Sequence, residues 1–159
     1  MLKKISFMLL SLILVGLTLA GSKYFTDMGT QSWYPAADKT PLTPPAYVFP
    51  VAWSFIYATL LIAGYRILYY RAGSNILILF VMQLSLQVLW CMTFFAMQNA
   101  LMGLLVILML DATVFLMLMR LRKRDILSAR LLYFYFAWLL FATYLNPVSY
   151  THLRAHETS

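Results

Sequence analysis

Three indoles, two amides and one carboxylate lie in stretches of this chain that are otherwise apolar: Trp53, Trp90 and Trp138, Gln83 and Gln87, and Asp111. A carboxylate in such surroundings is costly, so Asp111 must face an interior, find a donor or hold a proton. Its plain role is a hydrogen bond to a neighbouring helix; its chemical role would be a proton or ligand contact. Gln83 and Gln87 stand one helical turn apart, and Trp90 and Phe94 continue much the same side. Amides in an apolar medium need partners, so both should point inward, either to neighbouring helices or to a ligand. Trp53 lies beside Ala52, and Ala137 and Ala142 flank Trp138. Small neighbours leave room for a planar ring, and a buried indole N–H seeks an acceptor, which suits pocket walls for Trp53 and Trp138. For Trp33 the plain role is an interfacial anchor.

Familiar catalytic arrangements are missing. The apolar runs hold no glycine-rich phosphate loop, no nucleophile elbow and no cluster of metal ligands. His152 and His156 have the i, i+4 spacing of a helical metal pair, but in a polar tail where a metal site is not expected. Cys91 is the single cysteine, so no intrachain disulfide can form, and it reads as a small buried hydrophobe.

The elements that must position these groups are set by composition. Of 159 residues, 63% are hydrophobic and 11% charged, against roughly a quarter charged in soluble proteins. Mean hydropathy is +0.79. The apolar runs lack strict alternation, so the expected class is an all-α membrane protein rather than a β-barrel. A span needs about 20 apolar residues. Five stretches qualify, roughly Ile5 to Gly21, Pro45 to Tyr69, Ile76 to Met97, Leu101 to Met119 and Leu131 to Val148. Short links after the second, third and fourth predict antiparallel neighbours. MLKK followed by an apolar run also permits a cleaved signal peptide for the first stretch. Gly16 and Ala20 on that stretch form a small-xxx-small pair suited to packing within or between subunits.

The net charge of +7 is not a nucleic-acid footprint, because the cations sit in short clusters between apolar runs. Lys3, Lys4, Arg66, Arg71, Arg120, Arg122, Lys123, Arg124 and Arg130 fall at one end, and Lys23, Lys39 and Arg154 at the other, nine against three. The positive-inside rule then predicts a cytoplasmic N-terminus and an outward-facing first loop in a bacterial cell membrane.

That loop, over twenty residues on this reading, leads into PLTPPAYVFPVAW. Proline fixes φ and lacks an N–H, so Pro44 and Pro45 are expected to open the second helix. Loops this long in a compact domain usually carry function. Together with the aromatics around it, this loop suggests a lid over a ligand pocket.

Several spaced motifs on five apolar runs resemble the TspO/MBR family, the tryptophan-rich sensory proteins of bacteria and the translocator protein (peripheral benzodiazepine receptor) of mitochondria. They are WY at Trp33–Tyr34, Lys39, PLTPPAYVFPVAW with Tyr57, QL with Trp90 and FF in the third helix, and Tyr135, Trp138 and FATYLN in the fifth. The resemblance covers about residues 5–146, within a domain drawn at 1–146. It implies a five-transmembrane-helix bundle, often dimeric, with a pocket closed by the first loop. The family implies porphyrins (protoporphyrin IX, haem) as ligands with no further cofactor, and it also takes benzodiazepine- and isoquinoline-type compounds and, in mammals, cholesterol. By the same resemblance Trp53 and Trp138 would contact the macrocycle. Ala142 and Asn146 would form the wall on the fifth helix, and Gln87, Trp90 and Tyr57 further lining. Tyr34, Pro44 and Pro45 would shape the lid, and Lys39 is the cation nearest a propionate. The expected role is a porphyrin receptor or sensor, with transport as an extension. Alternatives are an enzyme that degrades porphyrin in light and oxygen using Trp53 and Trp138, and a ligand-free structural partner in the membrane.

This chain departs from the family pattern in four places. Gln87 stands for the usual asparagine, Phe134 for the proline expected before Tyr135, and Ala37 and Thr40 for the leucine and proline of the lid. These changes predict an altered pocket shape, a straighter fifth helix and a looser lid. Residues 147–159 read PVSYTHLRAHETS, polar where the family stays apolar, and are read as a foreign or read-through terminus outside the fold. Val148, Tyr150 and Arg154 in this tail match a loose cholesterol pattern that carries no weight.

Overall fold

In the computed structural model the described residues are 2–36 and 41–157, with side chains described through Asn146. Ala37, Lys39 and Thr40, the side chains of His152 and His156, and the cholesterol-like pattern lie outside them. The elements are α1 (Leu2–Thr30), a 3₁₀ turn (Tyr34–Ala36), α2 (Val48–Tyr69), α3 (Ser74–Cys91) running into a π-helical turn (Met92–Ala96), α4 (Ala100–Arg124) and α5 (Ile126–Glu157). Five helical stretches are long and apolar enough to cross a membrane. The expected all-α bundle is what the chain forms. In lipid the backbone must satisfy its own hydrogen bonds, and helices do that within one segment.

The helices close a ring in the order α1, α2, α5, α4, α3, with α3 returning to α1. Neighbours in this ring run antiparallel except α1 and α3, which run parallel; α2 and α5 meet through space rather than by a short link. One end carries the N-terminus and the clustered cations; the other carries the first loop and the α3–α4 turn.

Several boundaries differ from expectation. α1 runs to Thr30, nine residues past Gly21, because Lys23 and Asp27 pair at i, i+4 (2.6 Å) and continue the helix beyond its apolar run. The first loop is correspondingly shorter. α2 does not open at Pro44 or Pro45. Pro45 disfavours the α conformation at Pro44, and the chain turns once, with Val48 N–H donating to Pro45 O (3.0 Å), before the helix begins. Pro50 instead occupies the first turn of α2, where a missing N–H costs nothing. α5 continues as helical backbone through Glu157, although the tail is polar and contains Pro147. A proline deletes one ladder bond and need not end a helix whose other backbone groups remain paired.

α1 packs inside out. Ser11, Val15, Thr18 and Ser22 are buried, while Leu12, Ile13 and Leu17 face outward. Lipid is as apolar as leucine, so small and weakly polar residues make the closer helix contact. Ser11 Oγ donates to Leu61 O on α2 (2.9 Å). A Cβ on Gly64 of α2 would stand 2.6 Å from that same Oγ and 2.8 Å from the Phe80 ring of α3, so three helices meet at one glycine. Of the two roles open to Gly16, packing within the chain is not taken: a Cβ there would meet nothing within 4 Å, because the buried stripe runs beside it.

At the basic end a single residue, Asp125, joins α4 to α5. Its carboxylate accepts both prongs of the Arg66 guanidinium (2.9 and 2.8 Å) and the Ser128 hydroxyl (2.6 Å), so it ties α2 to the start of α5. Burial alone would raise this carboxyl, but Arg66 and Ser128 outweigh it and hold it below the ordinary carboxylate range.

Two outcomes are expected. Gly64→Ile should lower stability in detergent by about 1–3 kcal/mol through overpacking, whereas Gly16→Ile should leave the thermal midpoint unchanged; comparison of the two midpoints checks this. Asp125→Asn should cost about 2 kcal/mol at neutral pH. A depressed carboxyl contributes stability above its unfolded value and loses it as pH falls through the folded value. The gap between wild type and Asp125→Asn should therefore close as pH falls below about 4, read as midpoint against pH.

Candidate functional site

The outer half of α2 presents Phe49, Trp53 and Tyr57 at successive i, i+4 positions, which places them in one row. Trp53 and Tyr57 lie with ring centroids 6.0 Å apart. α5 runs beside this row and carries Trp138, Ala142 and Asn146. Trp138 meets α2 edge-on through Phe49 at 5.9 Å and stays near Phe141 at 5.6 Å. Trp53, Trp138 and Ala142 are each half-buried, on the seam between α2 and α5. The two indoles make no ring contact with each other; Phe49 is the link that sequence reasoning missed, though its place four residues before Trp53 was visible.

Behind the seam sits a buried polar cluster. The Gln87 amide donates to the Tyr57 hydroxyl (2.7 Å), and the Tyr135 hydroxyl donates to Gln83 Oε1 (2.8 Å), with Gln87 Oε1 at 3.3 Å. Gln83, Gln87 and Tyr135 are fully enclosed. These bonds join α2, α3 and α5, the structural role weighed for the glutamines. Asp111 likewise takes its plain role, accepting from Thr143 of α5 at 2.7 Å. Cys91 is buried as a small hydrophobe.

The loop end is closed by rings and one amide. Trp90 Nε1 donates to Asn146 Oδ1 (3.3 Å), and the Asn146 amide donates to Ala100 O (3.0 Å), so α3, α4 and α5 share one knot. Trp90 also stacks on Phe94 at 5.8 Å and 16°. Trp33 donates to Phe95 O in the π-helical turn (3.0 Å), and Tyr34 rests against Phe94 and Phe95. Trp33 thus ties the first loop to the π-helical turn after α3. Burial pushes the Tyr34 phenol above its ordinary value, so it is neutral at physiological pH. Pro44 is half-buried and Pro45 exposed, both ahead of α2.

Of the expected lining, Tyr57 and Gln87 come together, as do Trp90 and Asn146, and all four are spent on each other. Trp53, Trp138 and Ala142 remain on the seam. Two shallow, half-open clefts lie at the basic end, one of about 260 Å³ between the α3 start and the last turns of α4 and one of about 490 Å³ against α4 alone. Four buried polar atoms have no partner among the described residues, Ser22 Oγ, Gln83 Nε2, Asp111 Oδ1 and Trp138 Nε1, and of these Trp138 Nε1 is the one on the α2–α5 seam. Those residues also contain no His, Cys, Asp and Glu group able to hold a metal ion.

Comparison with known proteins agrees with this architecture. The sequence pattern of the TspO/MBR family matches residues 7–150. The tryptophan-rich protein TspO of Archaeoglobus fulgidus is 35% identical over 143 residues, covering 87% of this chain and 91% of that protein. The tryptophan-rich protein TspO of Chlorobaculum tepidum is 30% identical over 139 residues, covering 83% and 88%. The tryptophan-rich sensory protein of Cereibacter sphaeroides is 28% identical over 114 residues, covering 72% of each chain. With five apolar helices in one ring and this match along nearly its whole length, the chain is a multi-pass integral membrane protein that belongs to the TspO/MBR family.

Proposed function

We propose that this protein is a membrane receptor or sensor for porphyrins such as protoporphyrin IX and haem. The ligand lies along the α2–α5 seam, with Trp53 and Trp138 against the macrocycle and Ala142 leaving room beside them. The observation that carries this reading is the Trp138 indole N–H, buried and unpaired on an otherwise apolar wall. A buried donor without an acceptor costs about 1–3 kcal/mol, and a ligand acceptor at that point would recover it. Apolar walls with few polar anchors are the usual make-up of small-molecule sites. The name of the Cereibacter sphaeroides relative, tryptophan-rich sensory protein, favours sensing. The seam is closed in this state, so binding requires the lid held by Trp33 and Tyr34 to part from Phe94 and Phe95. Asn146, Trp90, Gln87 and Tyr57 then shape the floor through their mutual bonds. The excess of cations at the N-terminal end supports a cytoplasmic N-terminus, and the family resemblance favours a homodimer.

A second reading is favoured by the half-buried position of the two indoles. A porphyrin on the seam would bring a light-absorbing pigment against oxidisable rings, and the pigment would supply the reactive chemistry for its own degradation with oxygen.

Titration of protoporphyrin IX into the purified protein in detergent, in the dark, tests both readings through the porphyrin absorbance band. Saturable binding weakened about tenfold by Trp53→Phe or Trp138→Phe is expected, equal to a loss of about 1.4 kcal/mol. Equal and non-saturable uptake by wild type and both variants would mean partition into micelles, and would favour the ligand-free structural reading. The same samples under light should show loss of the band with either tryptophan required if the protein also degrades its ligand.

A further inference from the structure

The feature that porphyrin binding leaves unused is at the opposite end of the bundle. α3 starts at Ser74, behind Gly73, whose φ of 118° is glycine territory. The last turn of α4 passes beside it. Between them lies the cleft of about 260 Å³, lined by Gly73, Ser74, Asn75, Arg120, Lys123 and Arg124 among others. The larger cleft of about 490 Å³ shares Arg120 and Lys123 with it and adds Arg122.

The charge of this cleft is uncompensated. Arg120, Arg122, Lys123 and Arg124 are exposed, and none forms an ion pair among the described residues. The adjacent acid, Asp125, is already committed to Arg66 and Ser128. Part of this cation cluster suits the negative end of the α4 dipole, and part suits membrane orientation. Neither requirement calls for a second wall. That wall is the start of α3, which has no side-chain cap and offers Ser74 and Asn75. Small hydroxyl and amide groups face guanidinium and ammonium groups, and no carboxylate lines the cleft. Basic pockets between helices at the membrane surface are suited to phosphate-bearing head groups.

We propose that the cleft between the α3 start and the last turn of α4 binds a phosphate group, that of an anionic phospholipid at the membrane surface. Arg120 and Arg124 supply planar forks for the phosphate oxygens, Lys123 a point charge, and Ser74 and Asn75 the opposing donors. An acyl chain would then run outward along the bundle, so the site would report or select the surrounding lipid at the end farthest from the porphyrin seam.

The test uses the full chain in neutral detergent, with binding followed by native mass spectrometry and by the shift in thermal midpoint. The ligands are phosphatidylglycerol, phosphatidylcholine and inorganic phosphate. Wild type should hold phosphatidylglycerol at least tenfold more tightly than phosphatidylcholine. The combined Arg120→Gln, Lys123→Gln, Arg124→Gln variant should lose that preference. A variant with the same charge removed elsewhere at this end (Lys3→Gln, Lys4→Gln, Arg130→Gln) should keep it. If the triple cleft variant fails to fold, Ser74→Asp puts an anion into the cleft without removing a cation and suits the first turn of a helix; it should also abolish the preference. Displacement of the lipid by millimolar inorganic phosphate would show that free phosphate is a second source of the same group; no displacement would leave the lipid as the sole source. Equal binding of the two lipids by wild type, or equal loss in the cleft and control variants, would overturn the proposal in favour of diffuse surface attraction.

Discussion

A polar group inside a bilayer must find its partner within the protein, and in this bundle that requirement falls most heavily on the two glutamines of α3. Gln87 reaches Tyr57 on α2, and the Tyr135 hydroxyl of α5 reaches Gln83 and Gln87. Water and lipid cannot replace these bonds at that depth. They hold α2, α3 and α5 in one rotational setting, and the remaining features depend on it. The setting turns Trp90 toward Asn146, and it puts the Phe49, Trp53 and Tyr57 row of α2 beside α5.

Around that centre the two ends are held by different chemistry. At the loop end, indole and amide donors meet backbone carbonyls: Trp33 on Phe95 and Asn146 on Ala100. These are neutral bonds to the backbone, made by an indole and an amide. At the basic end the tie is ionic, Arg66 to Asp125, with Tyr70 beneath the guanidinium at 4.9 Å. A bidentate ion pair fixes both distance and angle, which suits an end where α2, α4 and α5 must stay together. The seam carrying Trp53 and Trp138 lies between a stiff end and a looser one.

Close approach of helices comes from small side chains. Gly64 admits Ser11 and Phe80, and a Cβ on Gly29 would lie 2.7 Å from Phe95, so α1 rests directly on α2 and on the π-helical turn. That turn also carries Phe94 and Phe95, the first stacked on Trp90 and the second edge-on to it, and both receive Tyr34. A wider turn at this point is a common way to aim side chains at a functional surface. The unpaired indole of Trp138 is the one place on the seam where this economy of partners is incomplete.

Much of this was legible in the residues. Hydropathy alone determined five membrane helices, because a bilayer demands about 20 apolar residues for each span. The isolated amides, carboxylate and indoles marked the inward faces, because polar groups there have nowhere else to go. The spaced motifs marked the family. Other features were decided only by the tertiary structure. Neighbours in the ring are not neighbours in sequence, so nothing local states that α5 closes on α2 or that Asp125 pairs with Arg66, fifty-nine residues away. The π-helical turn, the outward face of Gly16 and the start of α2 beyond its proline pair depend on how whole helices rotate and settle. Spacing along one chain can say that Trp53 and Trp138 both face inward; only the packing of α2 on α5 decides that each meets Phe49 or Tyr57 rather than the other, because that choice rests on contacts between segments about eighty residues apart.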